Sequence, residues 1–394
     1  MGSASEAATT NCPVCHALPP DATEPLAIPP EALRDDLEVL DRITGALLGV
    51  AIGDGIGEQS RHGHIMESWP IPDAGSVWVG GATQTTLFTL EGTIRMLVRL
   101  HIKGIGPGFQ VLRHALDRWL YTQHPSNADL VKRRWAGGSE QWPDGWLVRQ
   151  HVLHHRRTRM ATTANALNLN REVQLLDDHT LQEAPNSSEG AGGLVRVGPA
   201  GSLVSPHFAF ELGVRIAAQT HGSPNAFLPA GAVSRIVGGL VAGESLEVAV
   251  DEADRELAGW PSSELTREAM RGRTDLGLSP RSALGAFNQA FRRIADGDHR
   301  NVVGLIADTA WHGGTAPAAV CGLILGAERG ASAFAAGWRE APEAAVPIGE
   351  LALAASLVHR KFVRGRAIPG LERDIGPDDG CYLDQVLWPR YPGW

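Results

Sequence analysis

The first candidate for chemistry is Asp54, set among small residues in the run Gly53-Asp54-Gly55-Ile56-Gly57-Glu58. A lone carboxyl taken out of water is costly and shifts toward its protonated form. Such a group can contact a ligand or move a proton; it can equally cap a helix end or hydrogen-bond a neighbour. Glu58 follows closely and is a second candidate acid or base. The next run of interest is Ser188-Glu189-Gly190-Ala191-Gly192-Gly193. Glycines lay backbone N–H groups open, and several in one turn can surround an anion; the same composition also serves a tight structural turn. Arg196, just beyond, can grip a phosphate with two donors or enter a buried ion pair. His221 and Gly222 precede Ser223-Pro224, and His221 suits either a ligand hydrogen bond or the cap of the helix before it. The basic run His151, His154, His155, Arg156 and Arg157 reads as an exposed helix face or a surface for an anionic partner. No Ser-His-Asp or Cys-His set can be assembled from spacing.

These side chains need a scaffold, and apolar periodicity says of which kind. A helix begins near Leu40, its small residues Gly45, Ala46, Gly49 and Ala51 inviting close packing, and is expected to end around Gly53-Asp54-Gly55. A second carries the apolar stripe Leu87, Leu90, Ile94 and Leu97, and a third covers about 109–121. Further helical patterns fall at 146–155, 162–168, 206–220, 226–241 and 245–257. Others fall at 279–294, opened by Ser279-Pro280, and at 299–311, 317–327 and 346–360. Alternation with period two is confined to 77–79 and 194–197. The expected fold is therefore all-α, with about ten or more helices around one core. Residues 1–41, rich in Pro, Ala and acidic side chains, read as an arm; 42–362 read as the domain and 363–394 as a tail.

Composition narrows the class. With 43% hydrophobic and 20% charged residues in 394, the chain is not wholly disordered. Its 46 glycines show no three-residue period, so they mark turns and close approaches, not a collagen helix. A net charge of −9 argues against nucleic-acid binding, though not against a small anion held by local donors. Four cysteines are far too few for a disulfide-stapled secreted domain. Cys12-Pro-Val-Cys15-His16 would need two further ligands to hold a metal and reads as ordinary thiols; Cys321 reads as core. No apolar run reaches about 18 residues and the first residues do not look like a secretory signal, so a cytoplasmic protein with no membrane partner is expected.

Five segments, in order, resemble the ADP-ribosylglycohydrolase family, the group of dinitrogenase reductase-activating glycohydrolase and the ADP-ribosylarginine hydrolases. They are ITGALLGVAIGDGIG (43–57), TQTTLFTLEGTIR (83–95), RRTRMATTANAL (156–167), SSEGAGGLVRVGPAG (187–201) and THGSPNAFLPAG (220–231). The resemblance implies an all-α hydrolase fold that binds ADP-ribose-like groups. It adds Thr83, Gln84 and Thr315 to the candidate ligand-binding positions, beside Asp54, Ser188, Glu189, Gly190, Gly192, Gly193, Arg196, His221 and Gly222. Glu189 stands where the family usually has Lys, which weakens phosphate attraction.

Family members mostly hold two Mg²⁺ or Mn²⁺ ions between two acidic motifs. The first motif, Ser/Thr-Asp-Asp-Thr, corresponds to Gly80-Gly81-Ala82-Thr83; the second, Gly-Asp-Ser/Thr-Asp-Ser/Thr, corresponds to His312-Gly313-Gly314-Thr315-Ala316. All four aspartates are missing, and hard divalent ions want carboxylate oxygens. The sequence therefore points to a protein without metal or other cofactor, binding an ADP-ribosyl, nucleotide or related small ligand, without the family's ordinary hydrolysis. The alternative is a repurposed metal-free enzyme working through Asp54, Glu58 or His312, by glycosidic cleavage or by transforming a specialised metabolite. A third reading is a structural or assembly role supported by the arm, the tail and 11 tryptophans.

Overall fold

Almost all regular structure is local. Among the described residues, strand-like pairing is limited to three isolated bridges: Val77 with Pro342, Leu175 with Leu181, and Gly190 with Ser282. The computed structural model describes residues 36–61, 71–104, 108–123, 127, 131, 144–169, 173–364, 387, 390 and 391. Among these, the helices run α1 (Leu37–Arg61), α2 (Gly81–Lys103), α3 (Phe109–Gln123), α4 (Ala161–Leu169), α5 (Leu194–Gly201), α6 (Pro206–Ala218) and α7 (Pro224–Ala242). They continue as α8 (Leu246–Leu257), α9 (Glu264–Met270), α10 (Ala283–Asp296), α11 (Val302–Gly313), α12 (Thr315–Arg329), α13 (Ala336–Glu340) and α14 (Ala345–Phe362).

Two helices with small residues every fourth position form the axis. Gly45, Gly49 and Gly53 of α1 meet Gly326, Gly322 and Ala318 of α12, and Gly57 meets Thr315, so the pair runs antiparallel. A side chain at Gly45, Gly49 or Gly53 would strike backbone on α12. This contact corrects the expected end of α1. Its glycines do not terminate the helix at 53–55; they let it pass close to α12 and continue to Arg61. Asp54 and Glu58 therefore lie one turn apart on a continuous helix.

Other elements differ from expectation for equally local reasons. Residues 194–197, which alternate like a short strand, form the first turn of α5. Helix α10 is capped by Ser282, whose side chain accepts from the Gly285 N–H at 3.1 Å, and Ser279-Pro280 forms the turn before it. The segment 146–155 folds as two short 3-10 turns, not an α-helix. Helix α1 starts at Leu37, inside the stretch read as an arm. Helix α7 is long and apolar enough to cross a membrane, but it is packed inside the helical body.

Buried charges fasten the periphery. Arg95 of α2 pairs with Glu91 (2.9 Å) and Asp144 (3.0 Å), and Asp144 also takes Arg118 of α3 (2.7 Å). Asp36 pairs with Arg360 (2.9 Å) and Arg364 (3.2 Å), tying the start of α1 to the end of α14. From the tail, Arg390 lies over the Trp146 ring at 4.4 Å and pairs with Glu350 at 2.9 Å, while Leu387 and Tyr391 are fully buried. Cys12, Cys15, His16 and Cys381 lie outside the described residues. Cys321 sits in the core of α12, where burial pushes its thiol up to about 12.

Candidate functional site

Asp54 is fully buried and faces the start of α2. Its Oδ2 accepts from the Gly80 N–H (2.8 Å), the Thr83 N–H (2.9 Å) and the Thr83 hydroxyl (2.7 Å). Gly80 and Thr83 are the N-cap and third residue of α2, whose N–H groups have no partner within the helix. Asp54 thus caps the next helix from the middle of α1. The carboxylate also sits at the positive end of the α2 dipole. Its Oδ1 has no hydrogen-bond partner. Burial pushes the carboxyl up to about 6 against the lowering pull of its Thr83 and Gly80 hydrogen bonds, with Glu58 adding a smaller upward push.

One turn on, Glu58 binds two other elements. Its Oε1 accepts from the Thr158 hydroxyl (2.8 Å) and the Thr315 hydroxyl (3.2 Å). Two carboxylates of α1 therefore gather α2, the 158 segment and the start of α12. Gln84, next to Thr83 on α2, is also buried. It donates to the His155 carbonyl (2.7 Å) and accepts from Trp119 (3.3 Å) and Gln123 (3.1 Å), so its amide serves packing between α2 and α3. His312 is half exposed on the last turn of α11, beside Asp308 at 3.2 Å.

The glycine run 188–193 folds around a histidine. Ideal Cβ positions on Gly192 and Gly193 would lie 3.2 Å from His221 Nε2 and 3.3 Å from Nδ1, and one on Gly190 would lie 3.6 Å from Nε2. A side chain at Gly192 or Gly193 would press on the ring, while Gly190 stands at ordinary contact distance. Backbone bonds hold the run's outer edge: Ala191 N–H to the Arg281 carbonyl (3.1 Å) and Ala283 N–H to the Glu189 carbonyl (2.7 Å). Ser188 closes the turn by accepting from Gly190 N–H (3.2 Å). The Glu189 carboxylate is exposed and points away from the ring, accepting from Asn225 (2.9 Å) and Ser223 (3.4 Å). Gly222 passes against the Asn186 backbone, where a side chain would collide.

Arg196 lies under this loop, fully buried. It donates to the carbonyls of Gly192 (3.0 Å) and Ile216 (3.1 Å) and to the Thr220 hydroxyl (2.7 Å). Among the described residues no carboxylate pairs with it, and burial pulls the guanidinium down to about 9. The Thr220 hydroxyl also lies 2.8 Å from His221 Nδ1. Burial, then the nearby Arg196, hold the imidazole down to about 3, so it is neutral at physiological pH.

A family model described as ADP-ribosylglycohydrolase matches residues 35–366. The chain belongs to the ADP-ribosylglycohydrolase family. A solved structure described as an ADP-ribosylglycohydrolase-related protein complex is similar in fold, with a TM-score of 0.53 and 19% identity over 82% of this chain and 99% of that chain. No curated protein matches the sequence.

The ADP-ribosylglycohydrolase family implies a pair of divalent ions, and the donors here can be tested against it. Near-octahedral Mg²⁺ requires about six oxygens per ion at roughly 2.1 Å. Positions 80–82 carry no side-chain oxygen, Gly313 carries none, and the Thr315 hydroxyl is bound to Glu58. Asp54 keeps one oxygen without a partner. Among the described residues no group of three or more His, Cys, Asp or Glu gathers as a metal site. These residues do not fit two divalent ions.

Two groups escaped the sequence reading. Thr158 and Met160 sit within the 156–167 landmark but had no spacing to single them out. Thr220 was visible only as the neighbour of His221, although it joins that ring to Arg196.

Proposed function

We propose that this member of the ADP-ribosylglycohydrolase family binds an ADP-ribosyl, nucleotide or related small ligand without divalent ions and without the family's ordinary hydrolysis. The observation that supports it best is Arg196. A buried guanidinium held by carbonyls and a hydroxyl, with no carboxylate paired to it among the described residues, leaves positive potential beneath a glycine-walled turn. Neutral His221 offers a hydrogen bond there without competing charge. The ligand's anionic part belongs at this end, and its uncharged part toward Asp54 and Glu58.

Calorimetry with ADP-ribose, in Mg²⁺ and again in chelator, tests the reading. The expected result is binding of equal strength in both, lost in Arg196→Gln, with no ADP-ribose-linked substrate cleaved. Tight binding only in Mg²⁺ overturns it.

A second reading has its own support. Asp54 keeps an oxygen without a partner and a carboxyl pushed up to about 6, so it can exchange a proton near neutral pH. In metal-free glycosidic cleavage Asp54 would protonate the leaving group while Glu58 takes the proton of the attacking water. Turnover in chelator that is abolished in Asp54→Asn would favour this enzyme over a binding protein.

A further inference from the structure

Between the capped start of α2 and the glycine run lies the side chain of Met160. An ideal Cβ on Gly81 would come within 2.5 Å of Met160 Cγ and 3.1 Å of its sulfur. At the other end of the same side chain, an ideal Cβ on Gly192 would lie 3.1 Å from Met160 Cε. Met160 therefore reaches from the start of α2 to the glycine run, and it is half-buried. Its neighbour Thr158 closes the space over Gly80: an ideal Cβ there would fall 2.6 Å from the Thr158 hydroxyl and 2.8 Å from Asp54 Oδ1. The far acidic position is closed too, because a side chain at Gly313 would meet the Gln289 amide and Pro317, the latter at 2.7 Å. Gly81 and Gly313 are two of the places where the family's acidic motifs put aspartate. A larger side chain at either position would meet these neighbours.

We propose that Met160 is the wedge that keeps this cleft free of divalent ions and sets its specificity: its thioether fills the ground beside Gly81 that a carboxylate and its ion would need, and offers an uncharged, polarisable wall to any ligand lying between Gly81 and Gly192. A thioether is a soft donor with no affinity for Mg²⁺ or Mn²⁺, which take hard oxygens. Flexible and unbranched, it adapts to a ring or an apolar edge. Putting aspartates back is then insufficient to rebuild a metal centre while Met160 stays.

This inference deepens the metal-free part of the function proposed above, and it is tested without the organic ligand. The first measurement is thermal stability of Gly81→Ala, Met160→Ala and the double variant. Gly81→Ala should lower the midpoint in the native background and lose most of that effect beside Met160→Ala. Equal losses in both backgrounds overturn the wedge. The second is Mn²⁺ uptake, followed by electron paramagnetic resonance, in Gly81→Asp/Ala82→Asp with and without Met160→Ala. Removing Met160 should tighten Mn²⁺ by about tenfold or more; equal affinity overturns the proposal. The third uses the native protein with methyl-labelled methionine, whose five methyl signals allow Met160 to be assigned from Met160→Ala. ADP-ribose added in chelator should move that signal, and saturating binding that leaves it unmoved overturns the ligand wall. Failure of ADP-ribose to bind would instead count against the proposed function, leaving the first two measurements to decide the wedge.

Discussion

At the scale of one residue, Asp54 does two opposed things. Its Oδ2 accepts three hydrogen bonds that start α2, while its Oδ1 pays the cost of burial with no partner. An amide can satisfy the first role without the charge, so Asp54→Asn should keep the fold and raise stability at pH 7. Asp54→Ala should cost about 1–3 kcal/mol by stranding the α2 donors, as read by denaturant unfolding. The pH dependence has a definite sign. Folding raises this carboxyl from 3.8 to about 6, so between those values the native state holds the proton more tightly than the unfolded chain. Its contribution is most favourable below pH 3.8 and declines by roughly 3 kcal/mol as pH rises through about 6. Unfolding free energy measured across that range should lose this decline in Asp54→Asn. His221 acts in the opposite sense. Its proton affinity falls on folding, from 6.5 to about 3, so its contribution is intact above 6.5 and is lost as pH falls toward 3. Ligand affinity should accordingly show no step from His221 between about pH 6 and 8.

At the scale of elements, the contact of α1 with α12 decides where the two carboxylates stand. Gly49→Ala should destabilise by about 1–3 kcal/mol or more, because the added methyl meets the Gly322 carbonyl, outweighing the roughly 1 kcal/mol that alanine gains in a helix. Thermal unfolding checks it. The same glycines explain what could be read beforehand. Small residues at 45, 49 and 53 signal close packing in the sequence, but glycine also marks helix ends, and only the partner helix tells these uses apart. Helix periodicity was legible wherever an apolar stripe faced the core, as at Leu87, Leu90, Ile94 and Leu97. It failed at 146–155, where extended Gln150 splits the segment into two 3-10 turns, and at 194–197, too short to tell alternation from a helical turn. In the site, the glycine run and His221 were marked by composition and order, whereas Asp54's cap on α2 joins residues 26 and 29 apart in the chain. Met160 was unreadable because one methionine in a polar run has no periodic signature.

At the scale of the molecule, stability depends on segments far from the cleft. Arg390 and Tyr391 cover Trp146, and Arg390 pairs with Glu350 near the start of α14. Removing residues 365–394 should shift tryptophan emission to the red and lower the unfolding midpoint; Arg390→Ala alone should cost about 0.5–2 kcal/mol. The Asp36 clasp carries a separate consequence. Because Arg360 and Arg364 hold Asp36, the start of α1 and the end of α14 lie side by side although the chain separates them by more than 300 residues. A short peptide joining these two ends would let the backbone be opened at an exposed turn elsewhere, such as the one at Gly243 between α7 and α8, giving a circular permutant of the helical body that forgoes the Arg390 and Tyr391 cover on Trp146.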